Sequence, residues 1–236
     1  MTHGPARMPG VFDRAFLTGV EDVTQIVLVR HGEQHVPDWL AGPVGDTFDP
    51  PLSERGQRQA ELVGERFSTA RVDAVYVSPL RRAADTGAAI ARHHRLVPTV
   101  NDDLREVEVF RDIPADKAAG EFLGQGLLAG VRERMLRERS WDVYPYSESS
   151  HDFHKRTVNA IEAIIAENTG GRVVVACHGG VINAYIGHII GSRYDMFFRP
   201  AHTSVSIVVA GDGVRALHTL NDVHHLETAE GSFLSH

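Results

Sequence analysis

A chain of 236 residues, 42% hydrophobic and 23% charged, carries enough apolar material for one large globular domain and demands no second. Its formal net charge of -7 argues against broad nucleic-acid affinity, and a single cysteine, Cys177, rules out an intrachain disulfide framework. No segment approaches the roughly 20 consecutive apolar residues of a membrane-spanning helix, and the first twenty residues lack the apolar run of a signal peptide, so a cytoplasmic protein without membrane or nucleic-acid partners is expected.

Residues 1–22 read as an N-terminal tail. Residues 25–30 (QIVLVR) then read as a buried strand, with the continuous apolar stretch 26–29 of the kind covered on both faces of a parallel sheet. Residues 53–67 open with Ser-Glu and place Ala60, Val63 and Phe67 three and four apart, the pattern of an amphipathic helix. A second strand is expected at 72–77, followed by a helix capped by Ser78 with Pro79 in its first turn.

Residues 107–147 mix turn residues with an Arg/Glu-rich run and read as a helical cap inserted over the site. A helix at 152–167, a third buried strand at 172–176 and an apolar helix at 181–190 follow. Two further runs, 205–210 and 214–220, are joined by Gly-Asp-Gly, a hairpin signal. Residues 223–236 read as a C-terminal tail. Strands alternating with helices predict an α/β fold, a three-layer α/β/α sandwich on a mainly parallel sheet, with the main domain spanning 23–222.

Polar chemistry gathers where the three buried strands end, the edge at which open α/β sheets bind ligands. The first strand runs into Arg30-His31-Gly32-Glu33, where Gly32 is expected to turn the backbone so that Arg30 and His31 reach one ligand. The second ends at Ser78-Pro79-Leu80-Arg81-Arg82, and the third at Cys177-His178-Gly179-Gly180 before a helix. A helix start with free N–H groups at Gly179 and Gly180 suits an anion, and guanidinium groups bind phosphate oxygens bidentately while remaining charged. His31, His178 and these arginines therefore point to a phosphate dianion.

The ordered set Leu28-Val29-Arg30-His31-Gly32-Glu33, Pro51-Leu52-Ser53-Glu54-Arg55-Gly56, Ser78-Pro79-Leu80-Arg81-Arg82-Ala83 with Thr86, Leu104-Arg105-Glu106, Glu148-Ser149 with Asp152-Phe153, and His178-Gly179-Gly180-Val181-Ile182 resembles the histidine phosphatase superfamily, also called phosphoglycerate mutase-like. The resemblance implies that His31 is a nucleophile that becomes phosphorylated, that Arg30, Arg82 and His178 bind the transferring phosphoryl group, and that Glu106 is the proton donor. It implies no metal and no cofactor. Two features depart from the family pattern. The asparagine expected a few residues after Glu33 is replaced by Gln34-His35-Val36-Pro37, and the Gly and Trp-Glu-Gly signature expected after Glu106 is missing.

Competing readings stand beside these. Glu108 competes with Glu106, and Arg81 with Arg82. His31 and His35 are four apart, yet Gly-Glu-Gln between them is not a zinc-protease arrangement, and the pairs His93-His94 and His224-His225 read as solvated or capping residues. Cys177 reads as buried packing, since a cysteine phosphatase needs an arginine six positions later, where Asn183 stands. The expected function is hydrolysis of a small phosphorylated molecule through a phosphohistidine. The alternatives are a phosphoglycerate mutase-type phosphotransferase and a non-catalytic phospholigand-binding protein. Homo-oligomerisation is left open.

Overall fold

In a computed structural model of the chain, residues 10–36, 42–229 and 231–236 are described, apart from the side chains of Gln125 and Leu128. The centre is a six-stranded sheet of β1 (Thr24–Arg30), β2 (Ala74–Val77), β3 (Thr99–Val100), β4 (Arg172–Cys177), β5 (Val205–Gly211) and β6 (Val214–Asp222), in the order β3-β2-β4-β1-β5-β6. The pairs β2·β3, β2·β4 and β1·β4 are parallel; β5 and β6 close the other edge antiparallel. Asp212 and Gly213 at the β5–β6 turn both have positive φ, as a tight two-residue hairpin requires.

Helices α3 (Glu54–Phe67) and α4 (Arg81–Ala91) cover one face, and α6 (Ser150–Glu167) and α7 (Gly179–Ile190) the other. The apolar run of β1 follows from this. Ile26 and Leu28 join Ile161, Ile182 and Tyr185 on one side, while Val27 and Val29 join Val63, Phe67 and Ile90 on the other. Both faces are dry, so alternate residues are equally apolar.

The α3 start is as expected, with Ser53 Oγ accepting from Gly56 N at 3.1 Å. The α4 start is not. Its N-cap is Leu80, two residues after the expected Ser78, whose hydroxyl is engaged elsewhere. Short helices α1 (Val11–Phe16) and α2 (Val44–Phe48) and strand β3 were not anticipated. Within 107–147, α5 (Ala119–Glu138) is broken at Gly124, whose φ of 66° lies in the left-handed region, and Glu133 and Arg137 of its Arg/Glu-rich run pair at 3.6 Å.

The tail reading of both ends needs correction. Residues 1–9 lie outside the described residues, but 10–22 include α1 and the buried Leu17. The 223–236 segment folds against the domain, with Leu226 fully buried, β7 (Glu227–Thr228) paired to β8 (Gly231–Ser232), and Gln59 Nε2 donating to Phe233 O at 2.7 Å. Among the described residues no helix is long and apolar enough to cross a membrane.

Gly32 has a different task from the one expected. Its φ is not left-handed, but a Cβ there would lie 2.5 Å from Gly56 O, and one on Gly56 would lie 1.9 Å from Glu33 O. The end of β1 thus crosses the first turn of α3 backbone to backbone, which only paired glycines permit. Gly56→Ala should therefore destabilise the protein by about 1–3 kcal/mol or more through overpacking. Gly130→Ala, in α5 with nothing within 4 Å of its Cβ position, should instead gain up to about 1 kcal/mol of helix propensity. Urea denaturation midpoints measure both signs.

Candidate active site

The parallel register aligns Arg30 with Cys177 and Val77 with Ala176, so His31, Ser78 and His178 emerge together at one sheet edge. His31 N donates to Cys177 O at 2.9 Å and Ser78 N to Ala176 O at 3.1 Å, which carries the ladder one residue past each strand. The His31 and His178 ring centroids are 5.1 Å apart, and both side chains are buried.

Hydrogen bonds fix the His31 tautomer. Nδ1 lies 2.7 Å from Gly32 O, which can only accept, so Nδ1 carries the proton. Arg82 Nε, which can only donate, lies 3.3 Å from Nε2, so Nε2 presents its lone pair. Burial pushes the His31 imidazole well below its usual pKa, and the charges of His178, Arg82 and Arg30 push it further.

Arg82 is the buried member of its pair; Arg81 reaches outward and pairs with Asp49 at 3.3 Å. Arg82 Nη1 donates to Phe48 O at 3.1 Å. Burial lowers the Arg30 guanidinium to about 10, against the opposing pull of Glu106, leaving it a cation at neutral pH. Its Nε is buried without a hydrogen-bond partner, as is His178 Nδ1.

Glu106 lines the cleft. Its carboxylate accepts from Gly180 N at 3.0 Å and Val107 N at 3.1 Å, so the start of α7, expected to bind phosphate, is shared with a side chain. Glu108 instead pairs with Arg105 at 3.7 Å. Gly179 remains beside Arg30, whose Nε would lie 3.7 Å from a Cβ at that position. Together Arg30, His31, Arg82 and Glu106 line a cleft of about 210 Å³, with Gln34, Val109 and Trp141 at its edges. Gln34 is the polar side chain of the 34–37 stretch at this cleft; Pro37 lies outside the described residues.

Four supporting groups escaped the sequence reading. Ser78 Oγ lies 2.8 Å from His178 Nε2. Gln59, fully buried, accepts from Glu33 N at 2.8 Å and donates to Ser235 Oγ at 2.9 Å. His202 stands 5.7 Å from the His31 ring, its Nδ1 2.8 Å from Ser235 Oγ. Arg156 grips the buried Glu148 with Nε at 2.6 Å and Nη2 at 2.8 Å, and donates to Asp103 O, Arg105 O and Glu106 O, clamping the loop that carries Glu106. Only Ser78 and Glu148 lay inside motifs already noted. Cys177 is fully buried with its thiol pushed up by burial, in keeping with packing. His225, expected to be solvated or capping, bridges Arg66 and Thr203.

A family model of the histidine phosphatase superfamily, branch 1, matches residues 26–223. This chain belongs to that superfamily. It is 30% identical over 218 residues to a metal-independent phosphoserine phosphatase of Arabidopsis thaliana, covering 88% of this chain and 85% of that protein. It is 29% identical to phosphoglycerate mutase-like protein 4 of the same plant, covering 87% and 88%. Among solved structures, Bacillus stearothermophilus YhfR shares the fold with a TM-score of 0.71 at 24% identity, covering 86% of this chain and 98% of that one.

The buried imidazoles of this histidine phosphatase make its stability pH-dependent. Burial and nearby arginines lower His202 to about 3 and His225 to about 4, and hold His31 and His178 well below normal. The unfolded chain takes up these protons near pH 6.5, so stability is full above that pH and falls below it, by about 1.4 kcal/mol per unit for each such group. Urea midpoints should therefore drop steadily from pH 7 to pH 5, and His225→Gln should flatten the slope. A slope the substitution leaves unchanged would contradict the assignment.

Proposed function

We propose that this chain is a metal-independent phosphomonoesterase that works through a phosphohistidine on His31. The observation that carries the reading is the His31 Nε2 lone pair, facing Arg82 in a buried cleft that Glu106 also lines. A phosphomonoester dianion takes Arg82 Nε away from Nε2 and onto a phosphoryl oxygen. Arg30 Nε, unpaired in the protein, supplies a second donor. If the Ser78 hydroxyl, which accepts from Leu80 N, donates to His178 Nε2, then His178 Nδ1–H is a third.

Nε2 then forms an N–P bond as the P–O bond to the alcohol breaks, and a protonated Glu106 gives its proton to the departing oxygen. In the second half-reaction a water loses a proton to the Glu106 carboxylate and attacks phosphorus, breaking the N–P bond and restoring both groups. The arginines favour the neutral nucleophile and balance charge building on the equatorial oxygens. Water is the acceptor in this reading. The segment Glu106-Val107-Glu108-Val109-Phe110 lacks the arginine and tyrosine with which the mutase branch grips a glycerate phosphate.

His31→Ala should abolish phosphate release from p-nitrophenyl phosphate, and wild-type activity should survive exhaustive chelation. Glu106→Gln should lose about 10²–10⁴-fold on alkyl phosphates and far less on aryl phosphates, whose leaving groups need no proton. Equal losses on both, or a larger loss in Glu108→Gln, would move the acid elsewhere.

A further inference from the structure

Beyond the phosphoryl pocket the cleft widens into a chamber of about 630 Å³. Arg30, Glu106 and Trp141 line both spaces, so an alcohol that leaves phosphorus toward Glu106 departs into the larger one. One wall is Met135 and Leu136 at the end of α5, with Trp141 just after it; the other is Met196, Phe197 and Phe198. All six side chains are apolar or aromatic. Leu136 is 81% exposed, an apolar side chain left uncovered at the mouth.

The two walls are fastened together. Asp195 N and Met196 N both donate to Arg139 O, at 3.1 and 3.2 Å, and Trp141 N donates to Asp195 Oδ2 at 2.8 Å. The chamber is therefore pre-formed, which spares the cost of ordering a binding surface. Its charges are one-sided as well: Arg30, Arg139 and Arg199 line it, and among the described residues Glu106 is the one carboxylate in its lining. Among the described residues of the lining, an ammonium group on the leaving alcohol would find no counter-charge except the proton donor itself.

We infer that the substrate is the phosphomonoester of a bulky apolar alcohol, aromatic or long-chain, that carries no cationic group. The inference rests on the phosphatase reading above. Each methylene buried in such a chamber adds about fourfold in binding, whereas a cation placed among arginines is repelled.

The test is kcat/KM along ethyl, butyl, hexyl and 3-phenylpropyl phosphates, whose alkoxides leave with similar difficulty, set beside phosphoserine and phosphoethanolamine. The ratio of hexyl to ethyl should exceed about 100-fold, since four added methylenes contribute about fourfold each when fully buried. Both ammonium-bearing esters should fall at or below ethyl phosphate. Leu136→Glu should cut the hexyl-to-ethyl ratio tenfold or more, and Leu136→Met should preserve it. Calorimetric binding of hexylphosphonate against ethylphosphonate reads the chamber without turnover and should show the same order. A flat series in both rate and binding, or phosphoserine outrunning hexyl phosphate, overturns the inference. Loss of p-nitrophenyl phosphate hydrolysis with the phosphonate preference intact would instead count against the phosphatase reading alone.

Discussion

The hydrogen bond from His31 Nδ1 to the Gly32 carbonyl, 2.7 Å long, decides which nitrogen of the ring faces the cleft. A carbonyl cannot donate, so the proton is held on Nδ1 and the lone pair on Nε2. The carbonyl can do this because Gly32 is packed against Gly56 with no room for a Cβ on either, and because His31 N is tied to Cys177 O at the end of the neighbouring strand. Once Nε2 bears a phosphoryl group the ring takes on positive character, and the same carbonyl stabilises it. One backbone group thus orients the proposed nucleophile and favours the proposed intermediate.

The electrostatics of the cleft follow from that constraint. A buried imidazole between two arginines stays neutral, because burial and both guanidinium charges oppose protonation. The cost is a concentration of positive charge, offset by Glu106 in the cleft and by Asp49, 3.8 Å from Arg82 Nη1; the Glu106 carboxylate is held by the Gly180 and Val107 N–H groups. Gly180 is part of the device, since a Cβ there would lie 2.2 Å from Glu106 Oε1. Arg156 and Glu148 secure the loop from behind. Glu148 is buried and Arg156 largely so, and removing either partner would leave a poorly compensated charge as well as a loosened Glu106 loop.

The sheet and its covering helices were legible because strands buried on both faces must be apolar throughout, as residues 26–29 are, and because Ser53 carries its cap signal locally. The residues at the strand ends were legible for the same reason: Arg30, His31 and His178 interrupt apolar runs. What could not be read were contacts made across long stretches of chain. Gln59 reaches Ser235, Ser78 reaches His178, and Arg156 reaches the carbonyls of residues 103–106, none with a local sequence signature. Ser78-Pro79 has the look of a helix start, yet the Ser78 hydroxyl is drawn to His178 and α4 begins at Arg81. The C-terminal segment misled for a similar reason, since Leu226, the one fully buried apolar side chain among its described residues, is covered by parts of the chain distant in sequence, α3 among them.

The most direct measurement is the position of the phosphoryl group on the enzyme. Enzyme carrying ¹⁵N-labelled histidine, mixed briefly with a phosphomonoester and quenched into alkali, can be digested and read by ³¹P and ¹⁵N NMR. The account predicts one phosphohistidine, at residue 31, with phosphorus bonded to Nε2 and none on Nδ1. Phosphorus on Nδ1 or on another residue, or inversion at a chiral phosphate with no phosphoenzyme formed, would contradict it.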